Sequence, residues 1–131
     1  MTPEDTMQRY LQALGDGDAA AILELFVPDG VVFSPLYGEV SAAHFYRDLF
    51  ADTSRSTITP YHVFHSLQPE RGAVHFRYDW VLRDGTPVTF ECVDVFEFDL
   101  AVNKVKSLTI IYDTSRVRPA FNALRSSGSA A

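Results

Sequence analysis

Residues 73–98 constrain the fold most. Ala73 to Arg83 alternates apolar and polar side chains, Asp84-Gly85 follows, and Val88 to Phe98 alternates again. Every second side chain of a strand shares a face, and an Asp-Gly pair between two alternating runs predicts a tight β-hairpin. One face of the first run carries Val74, Phe76, Tyr78, Trp80 and Leu82. One face of the second carries Val88, Phe90, Cys92, Asp94, Phe96 and Phe98. Such an aromatic face has to be covered by other elements. A single carboxyl, Asp94, falls on it, whereas Glu91 and Glu97 fall on the opposite parity. An unpaired carboxylate away from water either finds a partner or takes up a proton. A neutral carboxylic acid can donate a hydrogen bond to a ligand oxygen, so Asp94 is the leading candidate for a functional residue.

The covering elements are legible upstream. Thr2 reads as an N-cap with Pro3 at the first helical position, and Met7, Tyr10, Leu11 and Leu14 form a helical stripe that stops at Gly15 and Gly17. Asp18 can cap a second short helix with Ile22, Leu23, Leu25 and Phe26 on its buried side. Pro28-Asp29-Gly30 predicts a turn, and Val31-Val32-Phe33 a short strand ended by Pro35 and Gly38. Ser41 can cap a third helix through about Asp52, with Phe45, Tyr46, Leu49 and Phe50 on its apolar sides. Thr57 to Leu67 reads as a strand whose Pro60 demands an edge or a bulge. Lys104 to Tyr112 reads as the last strand, with Leu108, Ile110 and Tyr112 on one face. Beyond Thr114 a short turn or helix can anchor through Phe121 and Leu124. Residues 1–125 are expected to form one domain, and 126–131, small and polar, a mobile tail.

Helices first and a strand meander afterwards predict an α+β fold. The expected form is a cone-shaped, curved antiparallel sheet, mixed at its short first strand, packed against three helices from the N-terminal half. The hollow between them is the default ligand site. Phe76, Tyr78, Phe90, Cys92, Ile110 and Tyr112 are its candidate lining.

Charge and motifs exclude several functions. The chain has 131 residues, 17 acidic and 11 basic, for a formal net charge of -6, which argues against a nucleic-acid or anionic-membrane surface. The one cysteine, Cys92, leaves no intrachain disulfide. No apolar run is long enough to span a bilayer, and the acidic start Met1-Thr2-Pro3-Glu4-Asp5 lacks a signal-peptide core. The expected compartment is the cytoplasm. His62 and His65 fall on opposite faces of their strand, no other cluster has metal-ligand spacing, and no phosphate loop, hydrolase elbow or nucleotide fingerprint occurs. Neither a metal nor an organic cofactor is expected.

Over residues 5 to 113 the chain resembles the nuclear transport factor 2-like superfamily, in its ketosteroid isomerase and SnoaL-like polyketide cyclase branch. Met7-Gln8-Arg9-Tyr10, Gly17-Asp18, Phe33-Ser34-Pro35-Leu36-Tyr37-Gly38, Phe45-Tyr46-Arg47, Asp84-Gly85 with Pro87, and Val93-Asp94-Val95-Phe96-Glu97-Phe98-Asp99 carry the resemblance. It implies that Tyr10 and Asp94 bind a substrate oxygen, that Tyr46 supports Tyr10, and that Tyr112 stands where an aromatic residue packs on the isomerase base. In ketosteroid isomerases the acid at the Asp94 position is held neutral by its apolar surroundings, so it can donate a hydrogen bond. The isomerase base is an aspartate before the proline; here Ser34 occupies that position, as a ligand contact or a plain turn residue. Glu39, His44, Asp79 and Glu91 are the alternative bases. Arg116 and Arg118 either clamp an acidic ligand or pair with Asp113. Two functions stay open: an isomerase- or cyclase-type enzyme acting on a small hydrophobic carbonyl compound, and a non-catalytic binding or dimerisation module. The resemblance also implies a homodimer through the outer sheet face, where Val63, Val81, Val93 and Val95 would supply apolar contacts.

Overall fold

Thr2 opens the chain with a reciprocal cap. Its hydroxyl accepts from the Asp5 backbone amide at 3.1 Å, and the Asp5 carboxylate accepts from the Thr2 amide at 3.0 Å. Helix α1 (Pro3–Asp16) follows, closed by Gly17 at φ 67°, a left-handed conformation that glycine enters without a Cβ clash. Asp18 caps the six-residue α2 (Ala19–Glu24). Strands β1 (Phe26–Ser34) and β2 (Gly38–Ser41) come next, then α3 (Ala42–Ala51) capped by Ser41. Strands β3 (Thr53–His65), β4 (Arg71–Leu82), β5 (Pro87–Asp99) and β6 (Lys104–Ile111) lead to a C-terminal helix α4 (Arg118–Ala130). The structure, a computed structural model, describes residues 1–130 and the side chains of 1–126. Most of the segment expected as a mobile tail therefore lies outside the described side chains.

The six strands form one open sheet in the order β2-β1-β6-β5-β4-β3. All neighbours pair antiparallel except β1 with β6, which run parallel. The fold is α+β, with the curved, unclosed sheet packed against the N-terminal helices, as expected. The β4–β5 hairpin alternates as its sequence dictates: Val74, Phe76, Tyr78, Trp80 and Leu82 are buried, and so are Cys92, Asp94, Phe96 and Phe98. Across the ladder Phe76 faces Cys92 and Val74 faces Asp94. Met7, Tyr10, Leu11 and Leu14 of α1, with Phe45, Tyr46 and Leu49 of α3, close the core over this face.

Three local expectations change. Pro28-Asp29-Gly30 is not a turn between elements but lies within β1, where the register to β6 shifts between Phe26 and Val31. Gly30 leaves the space that the Phe26 ring fills: a Cβ there would stand 2.7 Å from that ring. Strand β2 has no signature in the sequence; it is short, mostly exposed and without an apolar repeat. In β3 Pro60 pairs with Phe76 and His62 with His75, so Tyr61 is an extra residue. That bulge reverses the parity beyond it. Val63 consequently pairs with buried Val74 and packs on the core, not on the outer face with Val81, Val93 and Val95.

Candidate functional site

Two periodicities converge on one cavity. The inward parity of β4 and β5 delivers Phe76, Tyr78, Trp80, Phe90, Cys92 and Asp94, and the helical stripe of α1 delivers Tyr10 and Leu14. Ser34, Leu36 and Tyr37 come from the end of β1 and the turn after it, Phe45 and Leu49 from α3, and Ile110 and Tyr112 from the last strand and its end. The cavity is small, about 40 Å³, room for a few water molecules. Its floor is buried, whereas Ser34, Leu36, Tyr37, Phe90, Ile110 and Tyr112 are half-buried and mark its mouth.

The polar side chains of the floor meet at one corner. Asp94 is 1 % exposed and, among the described residues, faces no cation. Burial pushes its carboxyl up to about 8; the Cys92 thiol, which donates to Oδ1 at 3.8 Å, and the Tyr10 hydroxyl pull the other way without reversing the shift. The Tyr10 and Tyr46 hydroxyls share a hydrogen bond of 2.7 Å. Burial holds both phenols well above their ordinary range, so neither is a base. With Tyr46 donating, the Tyr10 proton is available to Asp94 or to a guest oxygen. Phe96 fixes the Tyr10 ring edge-on at 5.2 Å, and Phe45 does the same for Tyr46 at 4.8 Å. Burial, then the negative charge of Asp94, raises the Cys92 thiol far above neutrality, so it is a weak donor and no nucleophile.

The remaining wall is aromatic. Phe90 stacks on Tyr112 at 4.2 Å and on Tyr78 at 5.1 Å. Tyr78 directs its hydroxyl to Ser56 at 3.1 Å, and Trp80 its indole N–H to Thr53 at 2.8 Å. Their polar tips are thereby satisfied, and the polarity of the floor concentrates at Tyr10 and Asp94.

The expected site residues Tyr10, Ser34, Phe76, Tyr78, Phe90, Cys92, Asp94, Ile110 and Tyr112 all lie in the cavity wall. Tyr46 does not; it is fully buried and bonds the Tyr10 hydroxyl from behind. The Ser34 hydroxyl accepts from the Leu36 and Tyr37 amides at 3.1 and 3.0 Å, so it organises the turn while bordering the cavity. None of the alternative bases borders it. Glu39 is exposed on β2. His44 pairs with Asp48 at 2.9 Å on the solvent side of α3. Asp79 is held by Arg77 and Thr89 and Glu91 by His75, all on the outer face. Arg118 donates to the Pro35 carbonyl at 2.9 Å and to Thr114.

Three residues that fasten the turn at the mouth are not among the expected site residues. Tyr37, Asp52 and Arg125 are the three. The Tyr37 hydroxyl donates to Asp52 at 2.7 Å, and Arg125 of α4 meets the same carboxylate oxygen at 3.1 Å. These residues come from a turn, a helix end and the C-terminal helix, and no periodicity links them.

Among the described residues, no group of three or more His, Cys, Asp or Glu side chains is placed to hold a metal ion, and no helix is long and apolar enough to cross a membrane.

Several solved structures share the fold. A proposed polyketide cyclase from Pseudomonas putida superposes with TM-score 0.77 at 17 % identity, covering 88 % of this chain and 95 % of that one. SalBIII, described as an epoxide hydrolase/cyclase-like enzyme in pyran ring formation in the polyether salinomycin, gives 0.73 at 23 %, covering 87 % and 92 %. A Δ5-3-ketosteroid isomerase from Mycobacterium sp. gives 0.72 at 20 %, covering 88 % and 97 %. No curated protein sequence matches. The model of the SnoaL-like domain family matches residues 7–104, most of the chain and both halves of the cavity floor, and the chain belongs to that family.

Proposed function

We propose that the cavity binds a small, largely apolar carbonyl compound, and that Tyr10 and Asp94 both donate hydrogen bonds to its oxygen. The observation that carries this reading is a cation-free carboxyl, buried in a cavity floor next to a phenol, with its pKa pushed up to about 8. At pH 7 such a group is protonated by roughly ten to one. Two preorganised donors in a site shielded from water stabilise an enolate-like oxygen more than a ground-state carbonyl. That is the contribution an isomerase- or cyclase-type proton transfer needs.

The apparatus is one-sided. Beside Asp94, the wall contains no carboxylate, histidine or lysine among the described residues. A proton leaving a substrate carbon has no side-chain acceptor there, so water or the substrate itself carries it. The same observation favours a second reading, in which the cavity holds its ligand without turnover.

A panel of enones and cyclic ketones tests the first reading by binding and by turnover. Asp94→Leu, which removes the donor, is expected to abolish both. Tyr10→Phe is expected to weaken them about tenfold, the loss of one hydrogen bond to a developing charge. Binding and turnover unchanged in both variants would end the proposal. Binding that requires Asp94, with no turnover on any compound, selects the second reading.

The outer sheet face supports a homodimer as part of the same proposal. Val81, Val93 and Val95 are half-buried there, and Phe33 and Ile111 are 39 % and 54 % exposed. Phe33 and Val95 flank Thr109, and Ile111 pairs with Val93, so these four apolar side chains form one strip, while Val81, opposite Pro87, lies apart from it. A dimeric mass in solution that becomes monomeric in Val93→Asp is the expected result.

A further inference from the structure

The cavity as it stands is too small for a ring-sized carbonyl compound, so something at its mouth must yield. We propose that Tyr37 is the specificity-determining residue of this site: its ring closes the mouth, and Asp52 and α4 hold it in place. The inference rests on the ligand reading above.

Six residues border the mouth, but they are not equally able to move. Phe90 and Ile110 belong to hydrogen-bonded strands in the sheet, and Tyr112 is stacked on Phe90 at 4.2 Å. Displacing Phe90 disturbs the ladder between β4 and β5, and displacing Ile110 disturbs the one between β5 and β6. Ser34 ends a strand that is paired on both sides. Leu36 and Tyr37 alone lie in the turn between β1 and β2, followed by Gly38 at φ 83°. A turn bordered by a glycine in this conformation can swing without breaking a strand.

Of those two, Tyr37 is the one that is fastened. Its hydroxyl donates to buried Asp52 at 2.7 Å. Its ring meets Phe45 edge-on at 5.3 Å on one side and Phe121 of α4 at 5.1 Å on the other. The Arg125 guanidinium lies 5.6 Å from the ring centroid and bonds the same Asp52 oxygen at 3.1 Å. Nearer the start of α4, Arg118 ties down the Pro35 carbonyl at 2.9 Å. The C-terminal helix thus holds the turn at two points, and the turn holds a large ring in the cavity wall. A ligand longer than the present cavity reaches Tyr10 and Asp94 only by displacing that ring and breaking its bond to Asp52. Asp52 touches no ligand; it is a positioning residue that acts through Tyr37.

Phenols of increasing length are suitable probes, since each presents one oxygen to the Tyr10–Asp94 corner. Phenol, 1-naphthol and 4-phenylphenol are titrated calorimetrically, with association rates from stopped-flow fluorescence. The wild type is expected to bind phenol, which displaces Tyr37 least, and to discriminate at least tenfold against 4-phenylphenol. Tyr37→Ala is expected to erase or invert that ratio. Tyr37→Phe and Asp52→Asn keep a ring in place but loosen it, and are expected to raise association rates several-fold while preserving the size ranking. A merely structural role would alter stability and leave rates and ranking alone. If Tyr37→Ala fails to fold, the rates of the other two variants decide. Unchanged rates and ranking in all variants, with binding still abolished by Asp94→Leu, would overturn the role of Tyr37 and spare the ligand reading. Binding that ignores Asp94→Leu would overturn both, as would no binding of any phenol by any variant, Tyr37→Ala included.

Discussion

Two buried aspartates sit near the same cavity, Asp94 in its floor and Asp52 behind the Tyr37 ring at its mouth. Asp52 is 4 % exposed and Asp94 1 %. Each lies close to a tyrosine hydroxyl. Asp52, however, has Arg125 at 3.1 Å and Arg83 at 4.0 Å, whereas Asp94 has a thiol and a phenol and no cation. An ion pair lets a buried carboxylate keep its charge; without one, desolvation forces the proton on. The first arrangement ties three elements together. The second leaves a group whose proton is not committed to structure, which is the arrangement a ligand can use.

The same substitution should therefore act with opposite sign at the two positions. The folded Asp94 keeps its proton up to about pH 8, against 3.8 for an ordinary carboxyl, so the folded state binds the extra proton between those values and stability falls as pH rises through that window. Asp94→Asn removes the titration. It is expected to match the wild type near pH 4 and to exceed it by a few kcal/mol above pH 8, measured by denaturant unfolding across pH. Asp52→Asn takes the charge from between two half-exposed guanidiniums, which water can partly resolvate, and is expected to lose about 1–3 kcal/mol at neutral pH. Equal signs at pH 8 would break the contrast.

The sequence makes one of these corners legible and not the other. Asp94 stands out because β5 alternates without interruption, so parity alone places its carboxyl among Cys92, Phe96 and Phe98. Tyr10 follows from the stripe of α1 together with the family resemblance. Asp52 belongs to no repeat: it stands at the C-terminal cap of α3, and its partners arrive from residues 37, 83 and 125. Contacts of that kind are decided by packing. Parity also fails where a bulge intervenes, since the extra Tyr61 turns Val63 inward. The Pro28-Asp29-Gly30 segment reads as a turn because local chemistry favours one, but pairing with β6 on either side of the shift keeps it in the strand.

A smaller effect probes the Asp94 corner from behind. Tyr46→Phe removes the hydroxyl that bonds Tyr10 at 2.7 Å from another helix, and leaves the buried Tyr10 hydroxyl with Asp94 alone to turn to. A loss of about 1–2 kcal/mol is expected. Binding of carbonyl compounds should survive it, because Tyr46 does not border the cavity. Loss of binding with stability intact would move Tyr46 from support into the site.

The smallest effect isolates the thiol. Cys92 donates weakly to Asp94 at 3.8 Å and so holds its pKa slightly down. Cys92→Ala deletes that donor, and the pH at which stability stops falling should move upward by a fraction of a unit. Cys92→Ser replaces the thiol with a stronger donor at the same position, and the same pH should move downward. Both variants disturb packing alike, because each shrinks a side chain that is 3 % exposed in the core. A packing effect alone would therefore shift overall stability in both without displacing the titration. Carboxyl 13C chemical shifts followed against pH separate the two contributions. Opposite displacements in the two variants identify hydrogen bonding as the influence Cys92 exerts on Asp94, and displacements in the same direction refute it.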